Sequence, residues 1–365
     1  MKLAIVYDRV NKWGGAERVL LALHSIWPDA PLFTAVYDPQ RAKWAKVFEV
    51  RPSFLQYIPF AKNHHEWFPW LTPMAFESFL FDAFDVVISV TSAEAKYLIT
   101  KPHTLHICYC LTPTRYLWSG YDAYAQTSTA LRLLTPGLRR WDLIGSSRPD
   151  YYIAISRRVR ERIKQYYGQD ATSIIYPPVD IHPYQRYTQK DYFLVVSRLV
   201  PYKRIDLIID AFNELKLPLV IIGSGMQKRL LQERASATIS FVSEHLTDAE
   251  LSSYYGSCRA FLSAADEDFG IAAAEAQATG KPVITYKESG TAEIVTDGKT
   301  GILFYEQSKE SIIGAVRRFQ KMKIRPDNCR ESAECFSKQR FIKEMRDTVY
   351  GLYNGYTRYA GHIKP

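Results

Sequence analysis

The sequence predicts an α/β protein with two Rossmann-like domains, each built on a parallel sheet. A length of 365 residues exceeds what one hydrophobic core usually organises. Short apolar runs alternate with helix-length amphipathic segments, which is typical of doubly wound parallel sheets. Near the middle of the chain, the proline-containing stretch 174–180 can continue neither a helix nor a central strand. We therefore expect a first domain over residues 1–180 and a second over residues 181–336.

The first half opens with a strand, a loop and a helix. The apolar run Lys2–Tyr7 predicts a buried strand, residues 11–16 a loop, and Glu17–Ile26 an amphipathic helix. Further strands are expected at residues 86–90, 105–110 and 152–155. Because helix-length segments separate these strands, we expect them to run parallel in one sheet.

A second series of strands and helices begins after the central break. It contains an expected helix at residues 205–215 and expected strands at residues 193–197, 219–222 and 239–242. The last segment has apolar residues at helical spacing: Phe341, Met345, Val349 and Leu352. We expect residues 337–365 to form a C-terminal helix that crosses back to the first domain.

Composition and charge narrow the class of protein. The chain is 47% hydrophobic and 23% charged, which is globular, and its net charge of +9 would attract nucleic acid, anionic lipid or a phosphorylated ligand alike. The five scattered cysteines favour buried thiols over a disulfide framework. The sequence shows neither a signal-peptide core nor a membrane span. We expect a cytoplasmic protein, with peripheral association with the inner face of the cell membrane left open.

One stretch of the first half, residues 43–75, interleaves lysines and arginines with aromatic side chains. The aromatic residues are Trp44, Phe48, Phe54, Tyr57, Phe60, Trp67, Phe68 and Trp70. Such a pattern suits an anionic bilayer surface. Packing of the same aromatics within the first domain is an equally good interpretation.

Two glutamates, Glu267 and Glu275, stand eight positions apart in the second half. Between them, Phe269 and Gly270 can form a turn whose backbone N–H groups face an anion at the start of a helix. Glu275 would then lie about two turns into that helix. A surface loop followed by a helix with one solvated glutamate is the alternative.

Two cations, Arg198 and Lys203, follow the first expected strand of the second half. They would lie at the carboxyl edge of the sheet, where α/β proteins bind their ligands. Cations at that edge suit a phosphate-bearing ligand. If the phosphate is a leaving group, they can stabilise the negative charge that develops on it as the bond breaks, without a metal. By itself, the segment would fit an ordinary basic loop better.

Gly14 and Gly15 separate the first strand from the first helix, so the backbone there can closely approach a phosphate or a sugar. By itself the pair predicts only a tight turn. The G-x-G-x-x-G fingerprint of dinucleotide-binding proteins is absent from this position.

Together with a fourth pattern at residues 107–118, the three patterns above resemble glycosyltransferase family 4 over nearly the whole chain. The fourth pattern, residues 107–118, is similar to a segment of bacterial O-antigen mannosyltransferases, in which a histidine usually stands where this chain has Leu111. The resemblance implies a GT-B fold, in which the parallel sheets of two Rossmann-like domains face a central cleft. It also implies retaining, metal-independent transfer of a hexose to a saccharide or lipid-linked saccharide. Mannose from GDP-mannose is the leading donor.

The resemblance assigns roles to individual residues. Arg198 and Lys203 would stabilise the leaving diphosphate, Glu267 would lie at the transferred sugar, and Glu275 would hold the ribose. The implied donor-binding residues are Gly14, Gly15, Arg198, Lys203, Asp268, Phe269, Gly270, Ile271 and Glu275. Leu111, Thr112 and Arg115 are implied on the acceptor side, and Leu111 is expected to change donor choice or turnover rather than abolish activity.

Several alternatives stay open. Asp266 and Asp268 formally match the D-x-D pattern of metal-dependent transferases, although Arg198 and Lys203 would make a metal redundant. No cofactor and no metal are therefore expected. UDP- or ADP-sugar donors with a soluble acceptor remain possible, and Leu111 motivates a non-catalytic nucleotide-sugar-binding relic. Nucleic acid is not an expected partner, because no recognised module for it is present.

Overall fold

A computed structural model describes residues 1–62, 68–121, 129–181, 187–242 and 246–360. The chain forms two compact units. The first contains Met1–Pro178 together with the chain from Gln339 onward, and the second contains Val179–Lys338. Each unit carries its own parallel sheet, so the prediction of two Rossmann-like α/β domains is confirmed.

The first unit is built on a sheet of seven described strands in the order β3-β2-β1-β4-β5-β6-β7. The strands are β1 Leu3–Tyr7, β2 Leu32–Thr34, β3 Val50–Pro52, β4 Val86–Thr91, β5 Leu105–Cys110, β6 Tyr151–Ala154 and β7 Ala171–Ile174. The helices are α1 Gly15–Ile26, α2 Leu71–Glu77, α3 Thr129–Ser146 and α4 Arg157–Tyr167. All described strand pairs of this sheet are parallel, which places the carboxyl ends of the strands on one edge.

The centre of this sheet follows from its apolar runs. Every residue of β1, β4 and β5 is buried, as expected for strands covered on both faces. The chain turns to one side of the sheet after β1 and to the other side after β4, and these two strands are neighbours. The carboxyl ends of β1 and β4 therefore form the switch point at which such sheets bind ligands.

The second unit has six described strands in the order β10-β9-β8-β11-β12-β13. They are β8 Phe193–Val196, β9 Leu219–Ile222, β10 Ile239–Val242, β11 Phe261–Ser263, β12 Val283–Tyr286 and β13 Gly301–Phe304. The helices are α5 Ile205–Leu215, α6 Lys228–Arg234, α7 Asp248–Ser257, α8 Ile271–Ala278, α9 Lys309–Gln320 and α10 Pro326–Glu334. Its switch point lies between the adjacent strands β8 and β11.

The last helix, α11 (Lys338–Ala360), packs on the first unit. Phe341 is fully buried, and its ring meets that of Tyr109 edge-to-face with centroids 5.9 Å apart. Arg340 donates a hydrogen bond of 2.6 Å to the Tyr176 carbonyl. Near its end, the Tyr356 hydroxyl donates to the Pro102 carbonyl at 2.8 Å. The helix therefore completes the core of the unit in which the chain begins.

Two details differ from the sequence-based predictions. Helix α1 begins at Gly15 rather than Glu17, with Gly14 as its N-cap, so the glycine pair starts the helix instead of lying in a free loop. Cys335 is exposed, whereas Cys108, Cys110, Cys258 and Cys329 are the buried thiols expected. No helix in the described part of the chain is long and apolar enough to cross a membrane.

Candidate functional site

The switch point of the second sheet brings two predicted site residues together. Lys203 ends the turn after β8, and Glu267 lies in the loop after β11. The Lys203 ammonium donates a hydrogen bond to a Glu267 carboxylate oxygen, and the two side chains are 13% and 17% exposed. Residues 64 positions apart thus form a sheltered ion pair at the ligand-binding edge.

Arg198 lies in the same loop as Lys203, but the structure leaves it at the surface. Its guanidinium donates to the Tyr202 hydroxyl and lies 5.9 Å from the centre of that ring. The centre of the Tyr202 ring also lies 5.2 Å from the Lys203 ammonium, so both cations lie near this ring. The predicted pair of cations is present in one loop, with only Lys203 in contact with Glu267.

The turn at Phe269 and Gly270 has the predicted form. Gly270 has a φ of +97°, and a Cβ at this position would lie 2.3 Å from the Thr291 hydroxyl oxygen. Only glycine fits both the conformation and the space. Phe269 is buried against Phe336, with ring centroids 5.3 Å apart, which fixes the turn. Helix α8 then begins at Ile271, so its free N–H groups start at this turn.

A pocket open to solvent lies at this point of the second unit. Its lining includes the ends of β8 and β11, the pair Lys203 and Glu267, Gly270 and the first residues of α8. A lysine, a carboxylate and the positive end of a helix therefore surround one cavity. That combination can bind a negatively charged group and a hydroxyl-bearing group side by side.

Thr291 is a site residue that sequence reasoning missed. It lines the pocket and is fully buried, and its hydroxyl has no hydrogen-bond partner among the described residues. The loop that carries it is fixed to the Glu267 loop, since the Gly290 N–H donates to the Glu267 carbonyl at 2.8 Å. The available signal was the run Ser289-Gly290-Thr291, which closely follows β12.

The second glutamate, Glu275, lies on α8 and accepts a hydrogen bond of 3.0 Å from the Tyr255 hydroxyl. Glu275 is half-buried, and this contact fixes its carboxylate beside the buried Tyr255. Asp266 and Asp268 are half-buried beside Glu267. Within the described ranges no three His, Cys, Asp or Glu side chains gather as a candidate metal site.

The predicted residues of the first unit lie at the carboxyl edge of its own sheet. Gly14 is the N-cap of α1, and Gly15 is its first residue. Glu17, in the first turn of this helix, is a buried carboxylate that accepts a hydrogen bond of 2.8 Å from the Tyr7 hydroxyl. Leu111 is half-buried after β5, and its N–H donates 2.8 Å to the Thr91 carbonyl.

The neighbouring segment 112–118 is held by a buried ion pair that the sequence did not reveal. Thr112 is buried, with its hydroxyl unpaired in the described structure, and Arg115 is half-buried. Asp142 accepts from Lys96 at 2.6 Å, from Thr114 at 2.8 Å and from the Trp118 indole at 2.7 Å. Burial, followed by the charge of Asp142, raises the pKa of Tyr167, whose hydroxyl also donates to this carboxylate. The segment is therefore rigidly anchored.

His106, one of two histidines upstream of this segment, is a core residue. It is fully buried in β5 and shares a 2.8 Å hydrogen bond with the Ser89 hydroxyl. Burial lowers its pKa to about 3. The imidazole is therefore neutral near pH 7, while His103 is exposed.

Most of the second unit is similar to one family of known proteins. Residues 179–335, less than half of the 365, match the family described as "Glycosyl transferases group 1". A GDP-mannose-dependent phosphatidylinositol monomannoside mannosyltransferase of Mycolicibacterium smegmatis is 32% identical over 200 residues, covering 46% of this chain and 52% of the relative. O-antigen chain mannosyltransferase C of Escherichia coli is 24% identical over 58% of this chain and 60% of its own length. The chain thus spans little more than half of these relatives.

Solved structures resemble the whole described chain. Sucrose-phosphate synthase of Thermosynechococcus elongatus has a TM-score of 0.73 at 15% identity, over 97% of this chain and all of its own. Anabaena HepE, solved with UDP and glucose, has a TM-score of 0.70 at 16% identity, over 96% and 99%. The protein therefore has the GT-B fold of glycosyltransferases, built from two Rossmann-like domains.

Proposed function

We propose that the protein is a retaining glycosyltransferase that moves a hexose from a nucleotide-sugar to a saccharide or lipid-linked saccharide, without a metal. The observation that carries the proposal is the ion pair of Lys203 and Glu267, which lines a pocket at the start of α8. A lysine and a helix N-terminus match a diphosphate, and a carboxylate matches sugar hydroxyls. The family match over residues 179–335 supports the same reading.

In the proposed complex, Lys203, the first N–H groups of α8 and the Thr291 hydroxyl bind the diphosphate. Arg198 adds a second cation from the exposed side of the same loop. Glu267 orients the transferred sugar, together with the backbone from Asp268 to Ile271. Glu275, fixed by Tyr255, holds the ribose of the nucleotide.

The proposed reaction is front-face substitution. The bond from the anomeric carbon to the phosphate oxygen breaks, the acceptor oxygen bonds to the same face, and the acceptor proton passes to that phosphate oxygen. The cations stabilise the charge that develops on the leaving group. A double displacement is disfavoured at Glu94, the carboxylate after β4, because Arg9 and Tyr116 occupy its two oxygens.

The donor is proposed to be GDP-mannose, because two of the relatives described are named mannosyltransferases and one of these is named GDP-mannose-dependent. A UDP-sugar is the second candidate, because HepE, a protein of the same fold, binds UDP and glucose. Arg198, Lys203 and Glu267 serve either donor, since they face the diphosphate and sugar rather than the base.

The proposed acceptor is lipid-linked, on an anionic membrane surface at the inner face of the cell membrane. Trp13, Tyr57 and Phe60 are 54%, 84% and 70% exposed on the first unit. Phe60 has a φ of +66°, a conformation unfavourable for an aromatic residue. Lys12 and Lys43, which directly precede Trp13 and Trp44 in the chain, are also exposed, so this part of the first unit combines rings and positive charge. Trp67, in the same stretch, lies outside the described residues.

A calorimetric panel of GDP, UDP, ADP and their sugar conjugates, run with EDTA, tests the donor site. We expect one nucleoside diphosphate to bind the wild type and to bind Lys203→Ala at least about tenfold more weakly, since a charge-assisted hydrogen bond is lost. Lys323→Ala, at an exposed lysine of the same unit, is the matched control. Equal binding by Lys203→Ala and the wild type would contradict the assignment of Lys203, and no binding of any nucleotide would contradict the donor site itself.

A further inference from the structure

The switch point of the first sheet carries a polar cluster that the proposed donor site does not use. Arg9, Glu94 and Tyr116 come from the loops after β1, β4 and β5. Glu94 accepts from the Arg9 guanidinium at 2.6 Å with one carboxylate oxygen, and from the Tyr116 hydroxyl at 2.8 Å with the other. Three loops of the ligand-binding edge therefore meet at one carboxylate.

The cluster is rigid because two buried carboxylates hold the loops beneath it. Asp8 accepts from the Thr91 hydroxyl and from the Ser92 and Ala95 N–H groups, all within 2.8 Å, which fixes the turn that carries Glu94. Asp142 holds the segment that carries Tyr116 through the contacts described above. The geometry is set before any ligand binds, as specific recognition requires.

Hydrogen-bonding capacity remains at the cluster. The side chains of Arg9 and Glu94 are 20% and 6% exposed, so the guanidinium is the reachable group and Glu94 is the group behind it. The Arg9 Nε–H is buried and has no partner in the described structure. Burial, followed by the charge of Glu94, raises the pKa of Tyr116, so its hydroxyl stays protonated. A guanidinium has five N–H donors, and Glu94 uses one Nη of Arg9.

The charge balance indicates which ligand fits. Glu94 neutralises Arg9, and the buried Asp8 directly beside Arg9 in the chain adds a further negative charge. An anionic ligand would therefore gain little at Arg9. A neutral polyol can accept from the guanidinium and exchange a hydrogen bond with a tyrosine hydroxyl.

We propose that Arg9, Glu94 and Tyr116 form a specificity-determining subsite for a neutral sugar of the acceptor. Arg9 and Tyr116 contact the sugar hydroxyls, and Glu94 is a positioning residue that orients both. This assignment rests on the proposed function, since it names the class of sugar that receives the transferred hexose.

Saturation-transfer NMR tests the subsite with methyl glucoside, methyl galactoside, methyl mannoside and methyl glucuronide as probes. Each is titrated into the full chain saturated with the nucleotide that the calorimetric panel identifies, or without nucleotide if none binds. Tyr116→Phe removes one hydroxyl. The double variant Arg9→Met with Glu94→Leu removes both charges at once, so that no unpaired charge is buried. Lys323→Ala is the control, and thermal melting checks that each variant folds.

We expect at least one neutral methyl hexoside to bind the wild type. Its affinity should fall about threefold or more in Tyr116→Phe and at least about tenfold in the double variant, with nucleotide affinity unchanged. Failure of every neutral hexoside to bind, equal binding by a folded variant, or preferential binding of the glucuronide would overturn the subsite. Should the double variant fail to fold, Tyr116→Phe alone decides. If the wild type binds no nucleotide, that result would instead count against the donor site.

Discussion

At the scale of single residues, Thr291 offers a clean test of the donor pocket. Its buried hydroxyl has no partner among the described residues and lines the pocket. We expect Thr291→Val to leave the free energy of unfolding unchanged or slightly higher, because an unpaired polar group is removed. Nucleotide affinity should fall about three- to tenfold, as measured by calorimetry.

The matched control for this substitution is Thr285→Val. Thr285 is also fully buried with an unpaired hydroxyl in the described chain, but it lies within β12. Its replacement should leave nucleotide affinity unaltered. If both variants lose affinity equally, packing of the unit rather than a ligand contact explains the effect.

Leu111 supports a second prediction at this scale. The residue is half-buried after β5, in a segment that Asp142 anchors, so a new side chain there should not disturb the fold. We expect Leu111→His to change the ratio of kcat/KM between GDP-mannose and UDP-glucose by about threefold or more, because an imidazole can hydrogen-bond a sugar hydroxyl. An unaltered ratio and rate would show that this position does not select the donor.

His106 should make stability depend on pH. Its folded pKa of about 3 lies below the usual value near 6.5, so only the unfolded chain binds this proton between those pH values. The stabilising contribution is therefore complete above about pH 6.5 and is lost as the pH falls toward 3. We expect denaturant titrations of His106→Gln to show a slope smaller by up to about 1.4 kcal/mol per pH unit across this window.

At the scale of elements, the turn before α8 combines a backbone requirement with a steric one. Gly270→Ala would place a methyl group 2.3 Å from the Thr291 oxygen at a φ of +97°. We expect a loss of about 1–3 kcal/mol of unfolding free energy together with weaker nucleotide binding. Gly314→Ala, in helix α9 with open space around it, should instead stabilise the unit by up to about 1 kcal/mol. Denaturant melts and calorimetry on both variants make the comparison.

The sequence allowed the elements to be predicted because their signals are local. Buried apolar runs predicted β1, β4, β5, β6, β8, β9 and β10, and helix-length spacing between them predicted parallel pairing. This placed Arg198 and Lys203 at one edge, whereas the role of Glu267 came from the family resemblance. The polar cluster of Arg9, Glu94 and Tyr116 could not be predicted from the sequence. Arg9 and Glu94 are 85 positions apart, and neither of their loops has a distinctive sequence pattern. Thr291 was missed for a related reason, because only the packed structure shows that its buried hydroxyl has no hydrogen-bond partner among the described residues.

At the scale of the whole molecule, the two units have separate cores, and α11 belongs to the first. Phe341 is fully buried against Tyr109, whereas Tyr350 on the same helix is 43% exposed. We expect Phe341→Ala to lower the stability of the first unit by about 3–5 kcal/mol. Scanning calorimetry should show one transition shifted, while the affinity of the second unit for nucleotide stays the same. Tyr350→Ala should change stability by no more than about 0.5 kcal/mol.

The position of α11 in the chain also sets an order of assembly. Every residue of the second unit is synthesised after residue 178 and before Gln339, so that unit has all its own material before the first unit has its last helix. Domains usually fold from the N-terminus as the chain emerges from the ribosome. Here the earliest-made sheet must wait, with the surface around Tyr109 uncovered, until the latest-made helix arrives. We therefore expect the chain to need a chaperone most during synthesis of the second unit, before the last helix covers the first sheet.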